Sequence, residues 1–104
     1  MAKQPFALNY APAIKDHLRA IDRKHHSLIF SKIVELLSHE PDKVSIDRKP
    51  LREPIFGAAW EIRFGPNNRF RVFYDVDLEN LIVNVAAIGE KERDQLFIGG
   101  EEYP

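Results

Sequence analysis

Arg63 and Arg71 are the residues of this 104-residue chain whose type and placement point first to chemistry. A guanidinium is a planar fork of N–H donors that matches the paired oxygens of a phosphate. Trp60-Glu61-Ile62-Arg63-Phe64 and Phe70-Arg71-Val72-Phe73-Tyr74 both alternate with period two, and Gly65-Pro66-Asn67-Asn68 between them is a turn by composition. Pairing Phe64 with Arg69 would mix core and solvent sides. Pairing Phe64 with Phe70, Ile62 with Val72 and Trp60 with Tyr74 separates them, and sets Arg63 against Arg71 and Glu61 against Phe73. Like charges directly opposite each other destabilise a sheet by up to roughly 1 kcal/mol. The arginine pair therefore calls for a reason. Either Glu61, diagonal to both, completes an ordinary surface ladder, or the face is an anion site with Lys49, Arg52 or Lys91 brought alongside. Phe73, on the same face, either stacks a base or packs beneath the last element of the chain.

Other chemistries find little support. The chain has no cysteine, which removes disulfides, thiolate catalysis and zinc knuckles together. His25 and His26 are adjacent and splay about 100° apart on a helix, and Glu35 with His39 makes only two ligands, so no metal site is expected. Asp75-x-Asp77-x-Glu79 opens like a calcium loop, but Asn80 stands where glycine is due and Ala86 where the closing glutamate belongs. None of Ser27, Ser31, Ser38 and Ser45 sits in a nucleophile elbow. No cofactor is expected.

The elements that would position the pair are those of one small α+β unit, expected to span residues 1–104. Apolar residues at 44% and charged residues at 30% describe a globular chain with one core. No membrane span or signal segment is seen, which points to the cytoplasm. Net charge is −1, yet residues 1–52 carry a surplus of +4 and residues 53–104 a deficit of −5, so nucleic-acid binding would rest on a local patch. Residues 5–10 alternate as a short strand. Pro12 suits a first helical turn, and Ile14, Leu18 and Ile21 give an amphipathic helix. A second helix is predicted over 23–39, with a stripe of Ile29, Ile33, Leu36 and Leu37 widened by Phe30 and Val34, closed by Pro41. Residues 42–57 read as a loop or edge segment rich in Lys43, Arg48, Lys49 and Arg52. Leu81 to Ile88 reads as a central strand covered on both faces, stopped by Gly89. Glu90 to Phe97 is expected to form one or two helical turns. The order is β-α-α-β-β-β, an N-terminal helical hairpin packed on a small antiparallel sheet, with a short C-terminal helix.

The segments Trp60–Phe64, Phe70–Tyr74 and Ala87-Ile88-Gly89-Glu90-Lys91-Glu92-Arg93-Asp94-Gln95-Leu96-Phe97, preceded by Lys49-Pro50-Leu51-Arg52, resemble the RelE/ParE superfamily of type II toxin–antitoxin systems. Phe70–Tyr74 is also similar to the HigB-like branch. The resemblance implies a toxin neutralised by a protein antitoxin. In the RelE branch it implies an mRNA interferase on the ribosome, in which the RNA 2′-hydroxyl attacks the adjacent phosphate and cationic side chains stabilise the developing charge. Carried over, Arg71 would hold the scissile phosphate, Arg63 would support it or assist proton transfer, and Lys91 would serve the leaving-group side. Glu61 stands where that branch has a second lysine and would act as a base. Lys49, Arg52, Arg69 and Arg93 would bind the nucleic-acid backbone, with Phe73 and Phe97 stacking bases. Phe97 replaces a tyrosine and cannot transfer a proton. In the ParE branch the target is DNA gyrase. A third alternative is a member without catalytic power that binds its antitoxin.

Overall fold

Period-two alternation from Trp60 to Tyr74 folds as the hairpin it predicts. Strands β3 (Ala58–Phe64) and β4 (Phe70–Asp77) pair antiparallel with Trp60 opposite Tyr74, Ile62 opposite Val72 and Phe64 opposite Phe70, so Arg63 does face Arg71. This computed structural model describes residues 4–104; Met1 to Lys3 of the expected 1–104 unit lie outside the described residues. Asn67 and Asn68 close the hairpin at φ of 55° and 54°, the left-handed region that asparagine tolerates better than most residues.

The remaining elements are β1 (Ala7–Tyr10), α1 (Ile14–Arg19), α2 (His26–Leu37), β2 (Arg48–Ile55), β5 (Ile82–Glu92), β6 (Gln95–Ile98) and β7 (Glu101–Tyr103). The sheet order is β2-β3-β4-β5-β6-β7, antiparallel throughout, with β1 added in parallel to β5. Ile29, Ile33 and Leu37 of α2, with Ile14 and Ile21, bury against Ile62, Phe64, Phe70, Val72, Tyr74, Val83, Val85 and Ile88. Phe30 and Val34 stay exposed instead of widening that stripe, because their helical positions turn away from the sheet; Phe30 meets Tyr10 edge-on. Between the helices, the His26 ring nitrogen Nε2 lies 2.9 Å from the carbonyl oxygens of both Leu18 and Ile21.

Residues 48–55 form the edge strand that the edge reading allowed. Pro50 and Pro54 are tolerated there, since an edge needs no N–H on its outer side, and the register slips between Pro50 and Ile55. Arg48 ties the edge to the helix layer by donating to the carbonyls of Lys43 at 3.0 Å and Leu36 at 3.2 Å. The Tyr74 hydroxyl donates to the Pro41 carbonyl at 2.7 Å, and burial pushes its pKa above the usual phenol range.

Two expectations at the end of the chain are corrected. There is no C-terminal helix: the chain reverses at Arg93 and Asp94, and Gln95–Ile98 pairs antiparallel with the end of β5. A short mixed run such as 90–97 has no decisive period, and the edge of β5 beyond β1 offered backbone partners that a helix would have left unfilled. Gly89 does not stop β5. A Cβ there would meet the Leu96 and Ile98 side chains and the Phe97 carbonyl at 3.0 Å, so the glycine admits β6 at close range. The tail is likewise a strand, returned by Gly99 and Gly100 at φ of 64° and 81° in a two-residue hairpin turn.

Covering β5 on both faces needs one more device. Phe73 pairs with Ala87 but Tyr74 pairs with Val85, leaving Ala86 as a bulged residue. The bulge returns Val83 and Val85 to the helix side while Ala87 stays on the opposite face. There Ala58, Phe73, Ala87 and Ile98 form a second, smaller core, flanked by Leu51, Ile55, Ala86, Leu96 and Tyr103.

Candidate functional site

The face of the sheet opposite the helices carries Arg63, Arg71 and Glu61 at the pairing positions the alternation requires. Only 4% of Glu61 is exposed, and one carboxylate oxygen accepts from Arg71 Nη1 at 2.8 Å and from Arg63 Nε at 3.2 Å. Arg71 Nε donates to the Asn68 carbonyl at 3.1 Å, so the hairpin turn fixes that guanidinium from its other side. The like-charge pair is thus resolved by a buried carboxylate placed between the two arginines.

Beside this triad lies a cleft of about 380 Å³, floored by Phe73, Ile55, Leu96 and Tyr103 and rimmed by Glu61, Arg71, Lys91, Asp94, Gln95 and Glu102. Three carboxylates and two cations face it, so its field does not favour an anion. Asp94, Gln95, Glu102 and Tyr103 were missed from the sequence. The Gly99-Gly100 pair was the available signal, because a two-residue Gly-Gly turn folds the tail back beside β6.

The residues singled out from the sequence divide into groups. Arg71, Glu61 and Lys91 line one cleft, with Arg63 reaching it through Glu61. Phe73 also lines it, but the ring is 1% exposed within the second core and has no face left for a base, which corrects the stacking alternative. Ala58, Ala87 and Ile98 pack around it, while Glu61 stands opposite it on β3. Lys49 sits opposite Glu61 on β2, and Arg52 follows in the irregular stretch; both are exposed, and neither lines the cleft. Phe97 pairs with Glu90 and faces a different cavity, of about 260 Å³, with His17, Glu90 and Glu92. Arg69 is held by Glu90 and lies over the Phe70 ring, 5.6 Å from its centroid. With Lys91 and Arg93 it lines a notch of about 270 Å³ at the hairpin turn. Among the described residues no group of His, Asp and Glu side chains could hold a metal ion, and no helix is long and apolar enough to cross a membrane.

His17 is a further polar residue that the sequence did not single out. Along one edge of β5, β1 covers residues 82–85 and β6 covers 89–92. The His17 ring fills the gap, its Nδ1 accepting from the Ile88 backbone N–H at 3.2 Å. Burial lowers its pKa, against a smaller opposing effect of Asp16.

The site thus rests on an antiparallel sheet with a helical layer on one face and Arg63 and Arg71 on the other. The chain resembles, by fold, a chain in the crystal structure of the toxin–antitoxin complex RelBE2 from Mycobacterium tuberculosis, with a TM-score of 0.65 and 22% identity over 84% of this chain and 99% of that one. A family model described as the ParE toxin of type II toxin–antitoxin systems, parDE, matches residues 8–95. This chain belongs to that family of toxins. No curated protein matches its sequence.

Proposed function

We propose that this toxin acts by binding its target, DNA gyrase, and that a protein antitoxin neutralises it. The observation that carries the reading is the buried Glu61 carboxylate between Arg63 and Arg71. Metal-independent RNA cleavage needs cations that are free to meet the charge developing on the phosphorane. Here an incoming phosphate would have to displace a carboxylate that is itself out of water. Breaking a buried pair in that way costs about 3–5 kcal/mol, more than the roughly 1.5–3 kcal/mol of one charge-assisted hydrogen bond. Asp94 and Glu102 on the same cleft add repulsion. Phe97 lies on the other side of the sheet and has no proton to give.

Purified protein is expected to inhibit gyrase in a supercoiling assay, while induction in bacteria leaves transcript ends unchanged. Codon-phased cuts that vanish in Arg71→Ala, with supercoiling unaffected, would replace this reading with ribosome-dependent mRNA cleavage. That second reading draws on Arg71 and Lys91 facing one cleft. Harmless overexpression with retained antitoxin affinity would leave the binding role alone. Co-expression with the neighbouring gene product should yield one species in gel filtration.

A further inference from the structure

His17 and Glu90 line one cavity of about 260 Å³, set between the end of α1 and strands β5 and β6. Both side chains are deeply placed, His17 at 6% exposure and Glu90 at 9%. We propose that this cavity binds a primary carboxamide group, the end of a glutamine or asparagine side chain.

Each of the two residues commits one polar atom to the protein and leaves another without a protein partner. His17 Nδ1 accepts from the Ile88 N–H at 3.2 Å, so the neutral ring carries its proton on Nε2. Among the described residues nothing accepts from that Nε2–H. Glu90 meets Arg69 through Oε2 alone, and its Oε1 receives no donor from the described residues. No fully buried side-chain nitrogen or oxygen among the described residues lacks a partner. Nε2 and Oε1 therefore reach open space, and the cavity is the space that both side chains border.

A donor and an acceptor at one wall select the ligand. A cation would leave the Nε2 proton unanswered, and an anion would meet the carboxylates of Glu90 and Glu92. A carboxamide answers both atoms: its oxygen accepts from Nε2–H and its NH₂ donates to Oε1. The half-buried Phe97 ring offers a flat apolar wall beside them, on which a planar amide can lie. The Gly99-Gly100 turn closes another side without putting a side chain into the opening. A Cβ at Gly99 would meet His17 Cδ2 at 3.4 Å. That carbon adjoins Nε2, so the ring edge with the uncommitted N–H is the one turned to this wall. No bond is made or broken in the cavity, and the proposal is independent of the gyrase reading.

Two-dimensional NMR of the labelled full chain tests it, at mildly alkaline pH where the imidazole is neutral. N-acetylglutaminamide should give saturable shifts at Ile88, Phe97, Gly99 and Gly100. A long-range proton–nitrogen spectrum should show His17 as the Nε2–H tautomer, with that nitrogen moving on binding. The matching glutamate methyl ester keeps the acceptor and loses the donors, and should bind about fivefold more weakly, the equivalent of one neutral hydrogen bond. Phe97→Leu should weaken the amide severalfold, whereas Glu92→Gln should leave it unchanged. Tighter binding of the capped amide than of free glutamine would assign the site to a side chain within a partner polypeptide; the reverse order would assign it to the free amino acid. No saturable shift with either, an ester that binds as well as the amide, tighter binding of methylguanidinium or of N-acetylglutamate, or an Nδ1–H tautomer would overturn the assignment. A negative supercoiling assay would leave these titrations untouched, so the two proposals fail separately.

Discussion

Glu61 concentrates the electrostatic problem of this protein in one side chain. With Arg71 nearly as buried as the carboxylate itself, removing either partner strands a charge out of water. Glu61→Ala is therefore expected to destabilise the fold by about 3 kcal/mol, read as a lowered midpoint in a urea melt. Arg71→Ala should cost a similar amount. The double variant should cost less than the two singles together, because a pair removed whole leaves no orphan. Strict additivity would mean that the ion pair is decorative. Arg63 is more exposed, and its substitution should cost well under half as much. From the sequence, the opposition of Arg63 and Arg71 was legible because one register alone sorts apolar from charged. The capture of both by Glu61 was an open alternative, since a diagonal carboxylate can equally point to water.

Strand β5 is the element on which the rest depends. It carries β4 along one edge and, on the other, β1 and β6 end to end with His17 between them. Only a neutral ring can accept the Ile88 N–H on Nδ1. Its folded-state pKa is depressed below the ordinary 6.5, so as pH falls the unfolded chain takes up the proton first. That contribution is complete above about pH 6.5 and lost on acidification. The melting temperature of the wild type should thus fall more steeply between pH 7.5 and 5 than that of His17→Gln. Parallel profiles would show that the histidine does not titrate in this setting. At Gly89 the missing Cβ is what lets β6 approach. Gly89→Ala should cost about 1–3 kcal/mol through overpacking, checked by chemical denaturation; a neutral result would mean β6 can shift away freely. Neither contact was visible in the sequence. A histidine on a short helix and a glycine after an apolar run read as surface and stop signals until the partner strand is known.

The whole molecule has a core on each side of the sheet, one beneath the helices and a smaller one centred on Phe73. Phe73→Ala should therefore cost about 3–5 kcal/mol, as much as an ordinary core aromatic. A loss below 1 kcal/mol would mean that the second face is a surface and not a core. Trp60 is only half-buried, stacked on Tyr74 at 6.2 Å, and its truncation should cost less than that of Phe73. The small second core floors the cleft with three carboxylates, and Lys91 lines both that cleft and the cationic notch.

The amino-acid order alone determined the helical layer, the β3–β4 register and the opposition of two arginines, because each follows from a local period or from a pairing with one acceptable solution. Residues 90–104 were decided only in three dimensions. Their mixed, glycine-rich pattern has no period of its own, and they became strands because β5 presented an unfilled edge. That choice buried Phe73, carried Phe97 to the other face and brought Asp94 and Glu102 to the cleft. Which cations remain available to a ligand is set by distances between strands far apart in sequence, and no local pattern encodes those.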